Sequence, residues 1–124
     1  MITLYHGCTT TTANALTQGE AFRLGTCFTE SAVAAATYAY NGSLVEVEID
    51  LSGLIVTEVA GYDRDSDTAP GDRGLSEFAG IDIIVYEDED LHGREHTTYR
   101  IISERALERV RIIDKHDSED AQWL

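Results

Sequence analysis

The chain has 124 residues, 43% of them hydrophobic, enough for one compact core and too few for a second independently folded unit. Its formal net charge of −14, from 23 acidic against 9 basic residues, repels phosphate backbones; this argues against a conventional nucleic-acid binder and suits a basic partner. No stretch approaches the roughly 18 to 20 apolar residues of a membrane span, and Met1 leads into Ile2-Thr3-Leu4-Tyr5 rather than a basic signal-like segment, so a cytoplasmic protein is expected.

In chain order, Ile2 to Tyr5 is β-branched and aromatic and reads as a strand broken by His6-Gly7. The cluster Thr9 to Thr12 supplies N-caps for a short helix through Leu16, which Gly19 ends. Gly25 to Thr29 reads as a short buried strand, and Thr29 or Ser31 caps the Ala-rich run 32 to 39. From Leu44 to Ile49 apolar residues alternate with Glu46 and Glu48, the period of a half-buried strand; a second apolar run, Leu54 to Val56, follows Ser52-Gly53.

Glu58 to Gly74, with three glycines, the only proline and four aspartates, reads as a long loop. A short helix around Leu75 to Ala79 leads to a strand Ile81 to Tyr86, an acidic turn, a strand Thr97 to Ile102 and a last strand Val110 to Ile113. Residues 1–114 then form one domain and 115–124 a fraying tail. Hairpin-like strands with a few short helices give an α+β fold class. Cys8 and Cys27 form no CxxC pair and the four histidines show no ligand spacing, so neither a disulfide nor a metal is expected.

Three local features carry chemistry: Tyr5-His6-Gly7 on the first strand, Gly25-x-x-Phe28-Thr29 on a later one, and Ala36-Thr37-Tyr38-Ala39 about ten residues beyond. In this order and spacing they resemble the diphtheria-toxin and poly(ADP-ribose) polymerase branch of the ADP-ribosyltransferases, over roughly residues 2 to 50. A looser similarity joins Ile81 to Ile113 to small phage-borne ADP-ribosyltransferases that act as anti-CRISPR proteins, through an apolar strand, an acidic run, His-Gly and Thr-Thr-aromatic.

The resemblance implies a small fold of mostly antiparallel split β-sheets that uses NAD as co-substrate. It also implies that His6 hydrogen-bonds the nicotinamide ribose, that Gly7 offers backbone groups to the nicotinamide amide, and that Tyr38 stacks on the ring, with Phe28 and Thr29 beside them. Breaking the nicotinamide glycosidic bond develops positive charge on the ribose, so such a site needs a flat clamp for the leaving group and a carboxylate near the sugar.

Two positions depart from the family. Cys27 stands where many members carry a second stacking tyrosine, and Thr98 stands where the catalytic glutamate is usual. The resemblance then implies single transfers and moves the acid to the run Glu87-Asp88-Glu89-Asp90, where alternation along a strand puts Asp88 and Asp90 on one face. Asp88 is favoured, Asp90 follows, and Glu95 is a third candidate; a solvated acidic turn is the plain alternative. His92 and His96 read as exposed turn residues without a role.

The expected activity is mono-ADP-ribosylation of a protein acceptor with a basic surface, of which a CRISPR surveillance complex is an example. The alternative is a non-enzymatic acidic mimic of DNA that occupies a basic groove. Removal of an RNA 2′-phosphate, a sister activity of the fold, needs a basic groove that nine Lys and Arg do not supply.

Overall fold

In the computed structural model, which describes residues 1–61 and 74–124, seven strands form one sheet in the order β4-β5-β6-β2-β1-β3-β7. The strands are β1 (Ile2–Cys8), β2 (Cys27–Thr29), β3 (Ser43–Ile49), β4 (Val56–Glu58), β5 (Ile83–Glu89), β6 (Glu95–Ile101) and β7 (Val110–Asp117). Helices α1 (Thr10–Thr17), α2 (Ala32–Thr37) and α3 (Glu104–Leu107) and two 3-10 turns, Leu75–Phe78 and Ser118–Trp123, complete the α+β architecture. Only β4 and β5 run parallel; every other neighbouring pair is antiparallel.

Alternation sorts the side chains onto two faces. On one face Leu4, Phe28, Val45, Val47, Ile49, Ile83 and Ile101 form the main core, closed by Ala13 and Leu16 of α1 and Ala106 of α3. The opposite face carries two smaller clusters: Ala32, Ala35 and Ala39 against Leu44 and Ala121, and Phe78 with Ile84, Tyr86 and Ile102. Thr9, Ser31 and Ser103 cap the helices, each side-chain oxygen accepting from a backbone N–H three residues on.

The two halves of the sheet meet at one rung. β1 pairs with β3 along its whole length, from Ile2↔Ile49 to Cys8↔Ser43, but with β2 only at Tyr5↔Thr29. The expected split sheets are therefore one sheet whose halves are hinged at a single residue pair.

Several boundaries differ from the sequence reading. His6-Gly7 does not break β1, because β3 supplies partners through Cys8. The acidic run is not a turn: Glu87, Asp88 and Glu89 extend β5 and pair with Thr97, His96 and Glu95. The turn begins only at Asp90, whose N–H donates to the Arg94 carbonyl, with Gly93 at φ 78°. Nor does the chain fray after Asp114. β7 pairs with β3 as far as Asp117↔Ser43, and the 3-10 turn beyond it buries Ala121 against α2. Polar residues on both faces hid this strand, whose backbone pairing needs no apolar period. The loop read over Glu58 to Gly74 falls, apart from its ends, outside the described residues. α3 was not foreseen, being a single turn begun by the Ser103 cap.

Asp82 ties β4, β5 and α3 together. Its carboxylate, 4% exposed, accepts from the Ile55 N–H at 2.7 Å, Ser103 Oγ at 2.6 Å, and Arg105 Nε at 2.8 Å and Nη2 at 2.6 Å. Hydrogen bonds from Arg105 outweigh burial and hold this carboxyl well below the usual carboxylate range. Its folded-state pKa lies below the unfolded value, so its contribution is complete above about pH 4 and lost as pH falls through the acid range. Asp82→Asn should lower stability at neutral pH by about 2 kcal/mol and flatten the acid limb of the stability curve, as urea titrations between neutral and acid pH would show.

Candidate functional site

Beyond the Tyr5↔Thr29 rung, β1 and β2 make no further backbone pair, and His6 stands where the pairing stops. Its Nδ1 lies 2.9 Å from the Cys27 carbonyl, and its ring packs between Phe22, edge-on at 5.7 Å, and Phe28, at 5.5 Å. A carbonyl oxygen can only accept, so Nδ1 carries the proton. Burial pushes the imidazole pKa down against the opposing effect of the Cys27 bond, and the ring is neutral at pH 7. Nε2 is then a bare acceptor, suited to a hydroxyl.

Gly7 is demanded by packing. A Cβ there would lie 1.9 Å from the Ala35 carbonyl oxygen, so no side chain lets α2 sit this close to β1.

A cavity of about 320 Å3 opens between the two small clusters, lined by residues of β1, β2, α2, β5 and β6. Of the residues singled out in sequence, His6, Gly7, Phe28, Thr29, Tyr38 and Asp88 border it. Tyr38, the C-cap of α2, donates from its hydroxyl to the Glu89 carbonyl at 2.9 Å. Burial, with Asp88 and Asp90 nearby, pushes its pKa up to about 12, so the phenol stays protonated. Asp88 comes in from β5, and its Oδ1 accepts from the Glu89 N–H at 2.8 Å.

Three expectations are corrected. Asp90 does not border the cavity: the strand ends before it, and its Oδ1 is committed to the turn, accepting from the N–H groups of His92 and Arg94. Glu95 is exposed and lies outside the cavity wall. Phe28 touches the cavity, but its ring is 1% exposed and packs against Phe22 at 5.1 Å, leaving no face for a ligand.

Sequence reasoning also missed two side chains. His96, taken for an exposed turn residue, is 8% exposed and borders the cavity, because β6 starts earlier than its apolar pattern suggests. Tyr86 brings an aromatic ring where Cys27 lacks one, its hydroxyl 3.6 Å from Cys27 Sγ. Burial raises the pKa of that phenol strongly. Thr98 is 4% exposed, borders the cavity, and its hydroxyl has no hydrogen-bond partner among the described residues. A buried hydroxyl left unpaired costs on the order of 1–3 kcal/mol.

The wall is therefore largely apolar with neutral hydrogen-bonding groups, and among its lining residues Asp88 is the lone carboxylate. Such a cavity suits a flat ring joined to a hydroxyl-rich group. Comparison with family models, curated proteins and solved structures gave no match for this chain.

Replacing Thr98 with valine removes the orphan hydroxyl at nearly constant volume. Thr98→Val should leave the unliganded protein as stable as the parent or more so, by up to about 1 kcal/mol in urea unfolding; a clear loss of stability would mean the hydroxyl is already satisfied.

Proposed function

We propose that this protein is a mono-ADP-ribosyltransferase that takes NAD as co-substrate and modifies a protein acceptor. The observation that carries the reading is convergence: His6, Gly7, Thr29, Tyr38 and Asp88, chosen for a sequence resemblance and drawn from β1, β2, α2 and β5, border one cavity.

In this reading the nicotinamide nucleoside occupies the cavity. The bare Nε2 of His6 accepts from a ribose hydroxyl, and the backbone at Gly7, where β1 makes no pair with β2, meets the nicotinamide amide. Tyr38 stacks on the ring, with Tyr86 closing the wall that Cys27 leaves low. Cleavage leaves the bonding electron pair on the nicotinamide nitrogen and positive charge on the ribose, which the Asp88 carboxylate opposes in a wall of low polarity. The acceptor nucleophile then bonds to the anomeric carbon and loses its proton to solvent.

The acceptor is a protein with a basic surface, to which a chain of net charge −14 is attracted. Adding ADP-ribose to a nucleic-acid-binding surface places negative charge against the phosphate backbone, so a CRISPR surveillance complex is a fitting target class.

Calorimetric titration with NAD tests the reading. The parent should bind; His6→Ala and Tyr38→Ala should bind roughly tenfold more weakly or worse. Asp88→Asn should retain binding but lose at least about a hundredfold in release of nicotinamide. No heat at millimolar NAD, with stoichiometric rather than trace inhibition of a basic target, would favour the acidic mimic instead.

A further inference from the structure

Thr29, His96 and Tyr38 form a chain of hydrogen bonds with both ends fixed by backbone groups. At one end the Ser31 N–H, which can only donate, points to Thr29 Oγ1 at 3.1 Å. At the other the Glu89 carbonyl, which can only accept, takes the Tyr38 hydroxyl proton at 2.9 Å. Between them Thr29 Oγ1 lies 2.9 Å from His96 Nδ1, and Tyr38 Oη 3.5 Å from His96 Nε2. Since the phenol proton is spent on Glu89, the Tyr38 oxygen can only accept from His96. A neutral imidazole that donates from Nε2 has a bare Nδ1, which the Thr29 hydroxyl fills. One arrangement satisfies every group once: Ser31 N–H to Thr29, Thr29 to His96, His96 to Tyr38, Tyr38 to Glu89.

We propose that His96, as the Nε2–H tautomer, is a positioning residue that locks the ring of Tyr38 in the attitude needed to stack on a planar ligand. The geometry gives the lock its purpose. α2 has six residues, and Tyr38 is its C-cap, where a helix end frays readily. His96 ties that end to β6 and, through Thr29 and Ser31, to the N-cap at the other end of the same helix. The rings of Tyr38 and His96 lie 6.2 Å apart at 59°, tilted rather than stacked, and their polar contact runs through the hydroxyl. A side chain already ordered pays no ordering entropy when a ligand arrives, a difference of roughly three- to tenfold in affinity.

The inference rests on the NAD-binding reading for its consequence, but its first measurement does not. Long-range proton–nitrogen NMR of the 15N-labelled protein near neutral pH should find His96 protonated at Nε2 and bare at Nδ1; a proton on Nδ1 alone would overturn the relay whether or not NAD binds. The second measurement titrates NAD into variants with matched melting temperatures. His96→Gln keeps an N–H donor near the Nε2 position and should bind almost as the parent does. His96→Asn, which cannot reach Tyr38, should bind roughly three- to tenfold more weakly, as should Tyr38→Phe, and the two losses should not add in the double variant. Equal affinity of the Gln and Asn variants, or additive losses, would reduce His96 to a structural residue. A parent that does not bind NAD counts against the proposed function, and the tautomer then decides the relay by itself.

Discussion

Two antiparallel strands that share one rung leave a gap in the sheet, and here two constraints surround that gap. Gly7 brings β1 so close to α2 that the Ala35 carbonyl occupies the space of any side chain, which fixes the approach of helix and strand. His6 takes up the Cys27 carbonyl that a further rung would otherwise satisfy. β1 therefore departs from β2 after Tyr5↔Thr29, and the cavity opens where backbone pairing stops. A sheet zipped along all of β2 would have no site.

The electrostatics of the molecule are divided in the same way. The surplus of carboxylates gives the exterior a negative field that salt screens. The cavity wall is otherwise: a neutral histidine, phenols held protonated by burial, an unpaired hydroxyl and one carboxylate. In the proposed reaction a single charge in so neutral a wall acts on the developing cation with little competition from neighbouring ions, whereas the same aspartate among exposed glutamates would be one of many.

Much of this was legible because the motifs are local. His6-Gly7, Phe28-Thr29 and Tyr38 each sit at a strand or helix terminus that side-chain period and capping residues mark out, so their elements could be found. Asp88 was separable from Glu87 and Glu89 by alternation alone. What failed was the extent of strands that carry polar residues. Glu87 to Glu89, Glu95 and His96, and Asp114 to Asp117 hold their extended form through backbone pairing with partners distant in sequence, and no apolar period announces it. The burial of His96 and the release of Asp90 into a turn both follow from where β5 and β6 end, the least determinate feature of a strand read from its own residues.

Those strand ends also set where Asp88 lies relative to Thr98. Thr98 faces Tyr86 across the β5–β6 pair, and Asp88 faces His96, so Asp88 and Thr98 are diagonal neighbours on adjacent strands. Diagonal neighbours on one face are about 7–8 Å apart at Cα, and both border the cavity. Asp88 lies on the strand that ends at Glu89, whose carbonyl anchors Tyr38. The carboxylate and the ring clamp are then set by neighbouring residues of one strand, so any shift of β5 moves both together, and the register of that strand against β6 is what the site most needs to keep.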